Sequence, residues 1–202
     1  MNIKRQGQGA RGKGQGKVGA NGRSPLHGKL FLILGGARSG KSSYALKLAE
    51  SMTGERLYLA TAEALDKEMA ERIKKHKKER GNNWTTIEEP IKVADVIKKS
   101  TGYDVILLDC ITIWLSNLIT NYGLRITNLD SQIAKHITSL VSMCKKTKAN
   151  IIVVSNEVGL GIVPDNPLAR QFRDISGYAN QKIAEAADEV YFVTAGIPVK
   201  IK

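Results

Sequence analysis

The apolar positions of this chain follow two rhythms. Short, nearly continuous apolar runs recur at 29–36 (KLFLILGG), 56–61 (RLYLAT), 103–110 (YDVILLDC) and 150–156 (NIIVVSN). Runs of this length, rich in Leu, Ile and Val, predict strands buried on both faces of a sheet. Between them the period lengthens. Segments 42–52, 64–80, 91–99, 111–122, 129–146 and 167–188 predict helices. The clearest is 129–146, where Ile133, Ile137, Leu140, Val141 and Cys144 fall on one stripe. A short strand over 85–90 closes at Pro90, and 189–202 predicts a strand, a turn at Gly196 and a final edge strand. Repeated alternation of strand and helix implies an α/β fold, a mostly parallel sheet flanked by helices, with a C-terminal edge hairpin. No internal repeat or second domain interrupts it, so 29–202 reads as one domain.

Residues 1–28 stand outside this pattern. They are Gly-rich, basic and almost devoid of large apolar side chains, which predicts disorder when free. Lys4, Arg5, Arg11, Lys13, Lys17 and Arg23 face no acidic residue there, so the tail carries half of the formal net charge of +12. The excess left on the body suits an anionic nucleotide as well as a polymer. Two readings of the tail stay open: an arm that touches polyanions, and a dispensable extension. It contains no aromatic residue on which bases could stack, which argues against nucleic acid as the partner. The two cysteines, Cys110 and Cys144, form no CxxC pair, and a reducing cytoplasm is the expected setting. No apolar run approaches the roughly 18–20 residues that span a bilayer, and the basic start lacks the apolar core of a secretory signal.

The chemistry begins after the first strand. Gly35, Gly36, Ala37, Arg38, Ser39, Gly40, Lys41 and Ser42 fit G-x-x-x-x-G-K-[ST], with an apolar strand before and a helix after. Glycines let backbone N–H groups converge on an anion without Cβ interference, and the following helix adds its positive dipole end. Lys41 is expected to reach the β- and γ-phosphates, and the Ser42 hydroxyl to take Mg²⁺. Asp109 ends the buried strand VILLD, where a carboxylate commonly completes the metal shell of such a site. The alternative role for Asp109 is to cap the helix that starts at 111.

His76 lies in the helix predicted over 64–80. Leu65, Met69 and Ile73 mark an apolar stripe there, and His76 extends it by three residues. Arg72, Lys74, Lys75, Lys77, Lys78 and Arg80 surround it. Nearby cations disfavour imidazolium, which keeps the ring nucleophilic while attracting phosphates. A histidine of this kind can form a covalent phosphoramidate; equally, it can be an incidental member of a solvated basic helix.

Together the segments LILGGARSGKSSYA, YLATAEALDKEMAERIKKHKKERGNNWTTIEEP, ILLDCITIWLSNL and VVSNEVGLGIVPDNPLARQFRDISGYANQKIAEAADEVYFVTAGIPVKIK resemble the bifunctional adenosylcobinamide kinase / adenosylcobinamide-phosphate guanylyltransferase family. The resemblance covers about 29–202. It implies the fold of RecA-like P-loop NTPases and two reactions in adenosylcobalamin (vitamin B12 coenzyme) assembly. In the first, the γ-phosphate of ATP or GTP passes to the aminopropanol hydroxyl of adenosylcobinamide. In the second, a histidine takes GMP from GTP and hands it to the cobinamide phosphate, giving adenosylcobinamide-GDP.

The family's histidine pattern, R-I-x-x-H-x-x-x-R, matches Arg72 to Arg80 and implies His76 as the GMP-carrying nucleophile. By the same resemblance Ala60, Thr61 and Ala62, then Lys77, Lys78, Glu79 and Arg80, and also Glu88, are expected at the nucleotide. Asp109 stands where some relatives have Glu; both are hard oxygen ligands suited to Mg²⁺. Asn156, Glu157 and Arg170 lie in a further family signature, expected either to meet phosphate or corrinoid or to pack subunits. A homotrimer is implied as well. Two alternatives remain at this stage. One is a single-activity guanylyltransferase or P-loop kinase of the same fold. The other is a nucleic-acid-dependent ATPase using the basic tail.

Overall fold

The computed structural model describes residues 27–63, 71, 83–123 and 128–202. His76, Lys77, Lys78, Glu79 and Arg80 lie outside the described residues, as do residues 1–26 of the tail. In chain order the described elements are β1 (Leu30–Gly35), α1 (Lys41–Glu50), β2 (Arg56–Ala60), β3 (Thr85–Glu88), α2 (Val93–Lys99), β4 (Val105–Asp109), α3 (Ile111–Tyr122), α4 (Leu129–Lys146), β5 (Asn150–Asn156), α5 (Pro167–Ala186), β6 (Glu189–Thr194) and β7 (Ile197–Lys200).

The strands build one seven-stranded sheet in the order β3-β2-β4-β5-β1-β6-β7. Every neighbouring pair is parallel except β6 and β7, which form the predicted antiparallel edge hairpin. The hairpin turns through Ala195 and Gly196, both at positive φ, and Gly196 tolerates that geometry because it has no Cβ. This is the expected α/β fold, a mostly parallel sheet flanked by helices with a C-terminal edge hairpin.

The central strands β1, β2, β4 and β5 bury both faces, as their apolar runs require, while β3 and β7 at the edges are largely exposed. Leu30, Leu32, Leu57, Leu59, Ile106, Leu108, Ile151 and Val153 point to one side, against Trp114, Leu118, Ile133, Ile137 and Ile183 from α3, α4 and α5. Phe31, Ile33, Tyr58, Leu107, Ile152 and Val154 point to the other, against Ala45 and Ala49 of α1. The stripe read on α4 is the buried one, with Val141 at its half-exposed margin.

Helix boundaries have local causes. The Asn166 side chain accepts from the backbone N–H groups of Leu168 and Ala169, and Pro167 supplies a first helical residue that needs no donor, so α5 starts there. The Glu89 carboxylate accepts from the N–H groups of Ile91 and Lys92 at the approach to α2. The first of these bonds takes the Ile91 N–H away from β2, so the ladder of β3 does not continue past Glu89.

Candidate active site

Parallel pairing brings the predicted site residues to one edge. Gly35 is in register with Asn156 on β5, Asp109 with Ala60 on β2, and Ala60 with Glu88 on β3. The first P-loop glycine, the strand-ending aspartate and the segment 60–62 expected at the nucleotide therefore all sit at the carboxyl ends of their strands, where ligands bind in open α/β sheets. One strand, β5, lies between β1 and β4, so the strands that carry Gly35 and Asp109 run about 10 Å apart at the usual strand spacing.

The loop between β1 and α1 is packed from below. A Cβ on Gly35 would lie 2.5 Å from both the Ser39 Oγ and the Val193 carbonyl oxygen, so no larger residue fits. Gly40 takes φ 93°, and a Cβ there would meet the Cα of Gly196 at 3.0 Å. The Gly196 N–H donates to the Ser39 carbonyl at 2.8 Å. The edge hairpin thus braces the glycine-rich loop between β1 and α1. Lys41 is nearly buried at the first position of α1, and its Nζ donates to the Gly36 carbonyl at 3.2 Å. Burying an ammonium is costly without acceptors around it, and a phosphate chain provides them. Ser42 is half-buried one residue on, while Ala37 and Arg38 are exposed at the loop's tip.

Asp109 does not cap α3, whose N-cap residue is Cys110 with no side-chain cap bond. Instead its Oδ2 accepts from the hydroxyl of the buried Tyr58 at 2.8 Å. Trp84 packs edge-on to the Tyr58 ring, with centroids 6.1 Å apart. A hydroxyl and a carboxylate, Ser42 and Asp109, are the hard oxygen donors that suit Mg²⁺, which typically takes one or two carboxylates together with substrate phosphates. Among the described residues no cluster of three or more His, Cys, Asp or Glu side chains forms a protein-only metal cage. Next to Asp109, burial first and the Asp109 charge second push the Cys110 thiol up to about 12. It stays protonated at neutral pH and is no nucleophile.

The chain just past Asp109 is tied to the chain just past β2. The Thr61 N–H donates to the Asp109 carbonyl at 3.1 Å. The Thr61 hydroxyl accepts from the Cys110 N–H at 2.9 Å and donates to the Cys110 carbonyl at 2.8 Å. Thr61 is fully buried, so its part at 60–62 is to lock β2 to β4, while Ala60 and Ala62 are half-exposed beside it. Glu88 is exposed at the end of β3.

Residues of the 156–170 signature divide. Asn156 has its backbone held by the Thr112 hydroxyl and the Asn180 amide, and its buried Oδ1 has no partner. The Glu157 N–H continues the ladder to the Gly35 carbonyl, and its carboxylate accepts from Gly159. Arg170 turns its guanidinium onto the carbonyls of Pro164 and Asp165, folding the 157–166 loop against α5. Sequence reading missed Tyr58 and Thr61's locking role, because both depend on which strand lies beside which.

A family model described as cobinamide kinase / cobinamide phosphate guanyltransferase matches residues 31–201. The chain belongs to this family. It is 41% identical over 184 residues to the bifunctional adenosylcobalamin biosynthesis protein CobU of Escherichia coli (strain K12), covering 86% of this chain and 99% of that protein. The protein of the same description from Salmonella typhimurium (strain LT2) is 42% identical over 188 residues, with the same coverage. Among solved structures, the flagellar accessory protein FlaH of Methanocaldococcus jannaschii covers 90% of this chain and is covered over 81% of its own, with TM-score 0.51 and 17% identity, a likeness of fold alone. Family membership makes the chain a transferase with both kinase and guanylyltransferase activities. No helix among the described residues is long and apolar enough to cross a membrane.

Proposed function

We propose that this enzyme phosphorylates adenosylcobinamide and then guanylylates the product through a covalent GMP–His76 intermediate, in adenosylcobalamin assembly. The observation that carries the reading is the shared carboxyl edge of Gly35, Asp109, Ala60 and Glu88 in a chain of this family.

In the kinase step the P-loop backbone and Lys41 hold the triphosphate of ATP or GTP. The cobinamide hydroxyl oxygen bonds to the γ-phosphorus, the bond to the departing nucleoside diphosphate breaks, and the hydroxyl proton leaves to solvent. Ser42 and Asp109 would hold Mg²⁺, which supplies charge neutralisation at the phosphates when bound. Lys41 stabilises the charge that shifts onto the leaving diphosphate.

In the guanylyl step a His76 ring nitrogen bonds to the α-phosphorus of GTP, and pyrophosphate leaves with the electron pair of the broken P–O bond. A phosphate oxygen of cobinamide phosphate then attacks the same phosphorus and breaks the P–N bond, restoring His76. Lys77, Lys78, Glu79, Arg80, Ala60, Thr61, Ala62 and Glu88 belong to the guanine-nucleotide site in this reading. The working particle is a cytoplasmic homotrimer.

GTP labelled on the α-phosphate tests it. The protein should take up label that is stable in alkali and lost in acid, and adenosylcobinamide phosphate should discharge it. His76→Ala should take up none. Label persisting in that variant overturns the assignment of the nucleophile, and no label in the wild-type protein overturns the covalent route.

A further inference from the structure

α3 reaches across the site edge at one point. The Asn117 Nδ2 donates to the Thr61 carbonyl at 2.8 Å and to the Pro90 carbonyl at 3.2 Å. Asn117 is half-buried in the middle of its helix, and both acceptors belong to other segments. Thr61 follows β2 and Pro90 follows β3. These two strands are already in register at Ala60 and Glu88, and the Glu89 N–H extends the ladder to the Ala60 carbonyl at 2.9 Å. Beyond that bond the ladder stops, because the Ile91 N–H that the next rung would need turns to the Glu89 carboxylate at 2.9 Å. Past that point Asn117 joins the two segments, each of its two amide hydrogens meeting one carbonyl.

We propose that Asn117 is a positioning residue for guanylyl transfer. It fixes the placement of 60–62 relative to Pro90, two residues past Glu88, and so of the described residues expected at the guanine nucleotide. This rests on the assignment of those residues given above. The two segments are also the points where the chain leaves for His76 and returns from it, since Thr61 precedes and Pro90 follows that residue in sequence.

The P-loop draws on different supports. Its hydrogen bonds and close contacts run to Val193, Gly196 and, through Gly35, Glu157, none of which touches Asn117. Loosening Asn117 should therefore fall unequally on the two reactions. A purely structural amide would weaken both alike through lost stability.

Two substitutions separate these cases. Asn117→Ala removes the donors. Asn117→Asp keeps the shape but turns a carboxylate oxygen toward two carbonyls, an arrangement with no hydrogen to share. Trp114→Phe is the matched control. It deletes the neighbouring bond from α3, Nε1 to the Ile91 carbonyl at 2.9 Å, and leaves Thr61 and Pro90 tied. Measured on the full-length protein are the rate of α-label uptake from GTP, the kinase rate with ATP, and Tm.

The expected result is a tenfold or greater fall in label uptake for both Asn117 variants, with kinase kcat within about threefold of wild type. Trp114→Phe should lower Tm while the ratio of the two rates stays at the wild-type value. Equal loss of both activities in the Asn117 variants, or label uptake within twofold of wild type, overturns the positioning role. So does a Trp114→Phe variant whose ratio shifts as far as theirs. Absence of label in the wild-type protein would be a failure of the covalent reading instead, and the kinase-normalised KM for GTP in cobinamide-GDP formation then decides for Asn117: a rise confined to its variants supports the role, no rise overturns it.

Discussion

A single hydroxyl sets the orientation of Asp109. Tyr58 donates to Oδ2 at 2.8 Å from a buried position on the neighbouring strand, so one carboxylate oxygen is engaged by the protein. A hydrogen bond to a charged acceptor contributes about 1.5–3 kcal/mol. Tyr58→Phe removes that donor and keeps the ring, with its edge contact on Trp84. We expect kinase kcat to fall several-fold with KM for ATP nearly unchanged, since triphosphate binding belongs to the P-loop. Steady-state kinetics at saturating Mg²⁺ check this, and an unchanged kcat would show that Asp109 does not depend on Tyr58 for its orientation. At this scale the sequence named Asp109 by its place after an apolar strand. It could not name Tyr58, because alternation along β2 gives the face of a side chain but not the strand that lies beside it.

Among the elements, the β6–β7 hairpin has a charge cluster at its base. The Glu189 carboxylate accepts from the Tyr191 hydroxyl at 2.7 Å, from Lys200 at 3.0 Å and from Lys29 at 3.2 Å. Led by the Tyr191 bond and then by Lys200, these hold its carboxyl down at about 2, below the ordinary 4.5. A depressed folded-state value means that the group stabilises the fold above pH 4.5 and that this contribution disappears as pH falls through about 2. Glu189→Gln should therefore lower Tm at neutral pH by a few degrees, and the gap to wild type should close as the melts are taken from pH 5 toward pH 2. A gap constant over that range would assign the loss to packing instead of charge. The element's existence was legible from Gly196 between two β-rich runs. Its bracing of the P-loop was not, because the contact of Gly40 with Gly196 joins positions far apart in sequence. The same holds for β5, which reads as an ordinary buried strand yet lies between Gly35 and Asp109.

For the molecule as a whole, the question is what the basic tail contributes. Half of the +12 net charge lies in residues 1–28, while the family match begins at residue 31 and the sheet at Leu30. The body's own supports start late. The N–H of Gly28 donates to the Thr147 carbonyl at 3.4 Å, and a Cβ on Gly28 would collide with the Ala149 carbonyl, so the chain is fitted into the fold from this glycine onward. Lys29 then joins β1 to Asn150 and Glu189. Removing residues 1–26 takes away six cations and none of these contacts. Both activities should stay within about twofold of the full-length protein, and Tm should be unchanged. Retention on an immobilised polynucleotide at low salt should weaken, because binding of this kind comes from counterion release by Lys and Arg. Salt titration of both proteins on that resin, alongside kinase and label-uptake rates, gives the comparison. Loss of either activity on truncation would place the tail in the enzyme's working surface. Equal, steeply salt-dependent retention of the two proteins would move the polyanion site to the body, where the six-residue cluster around His76 supplies the only comparable run of Lys and Arg in the sequence.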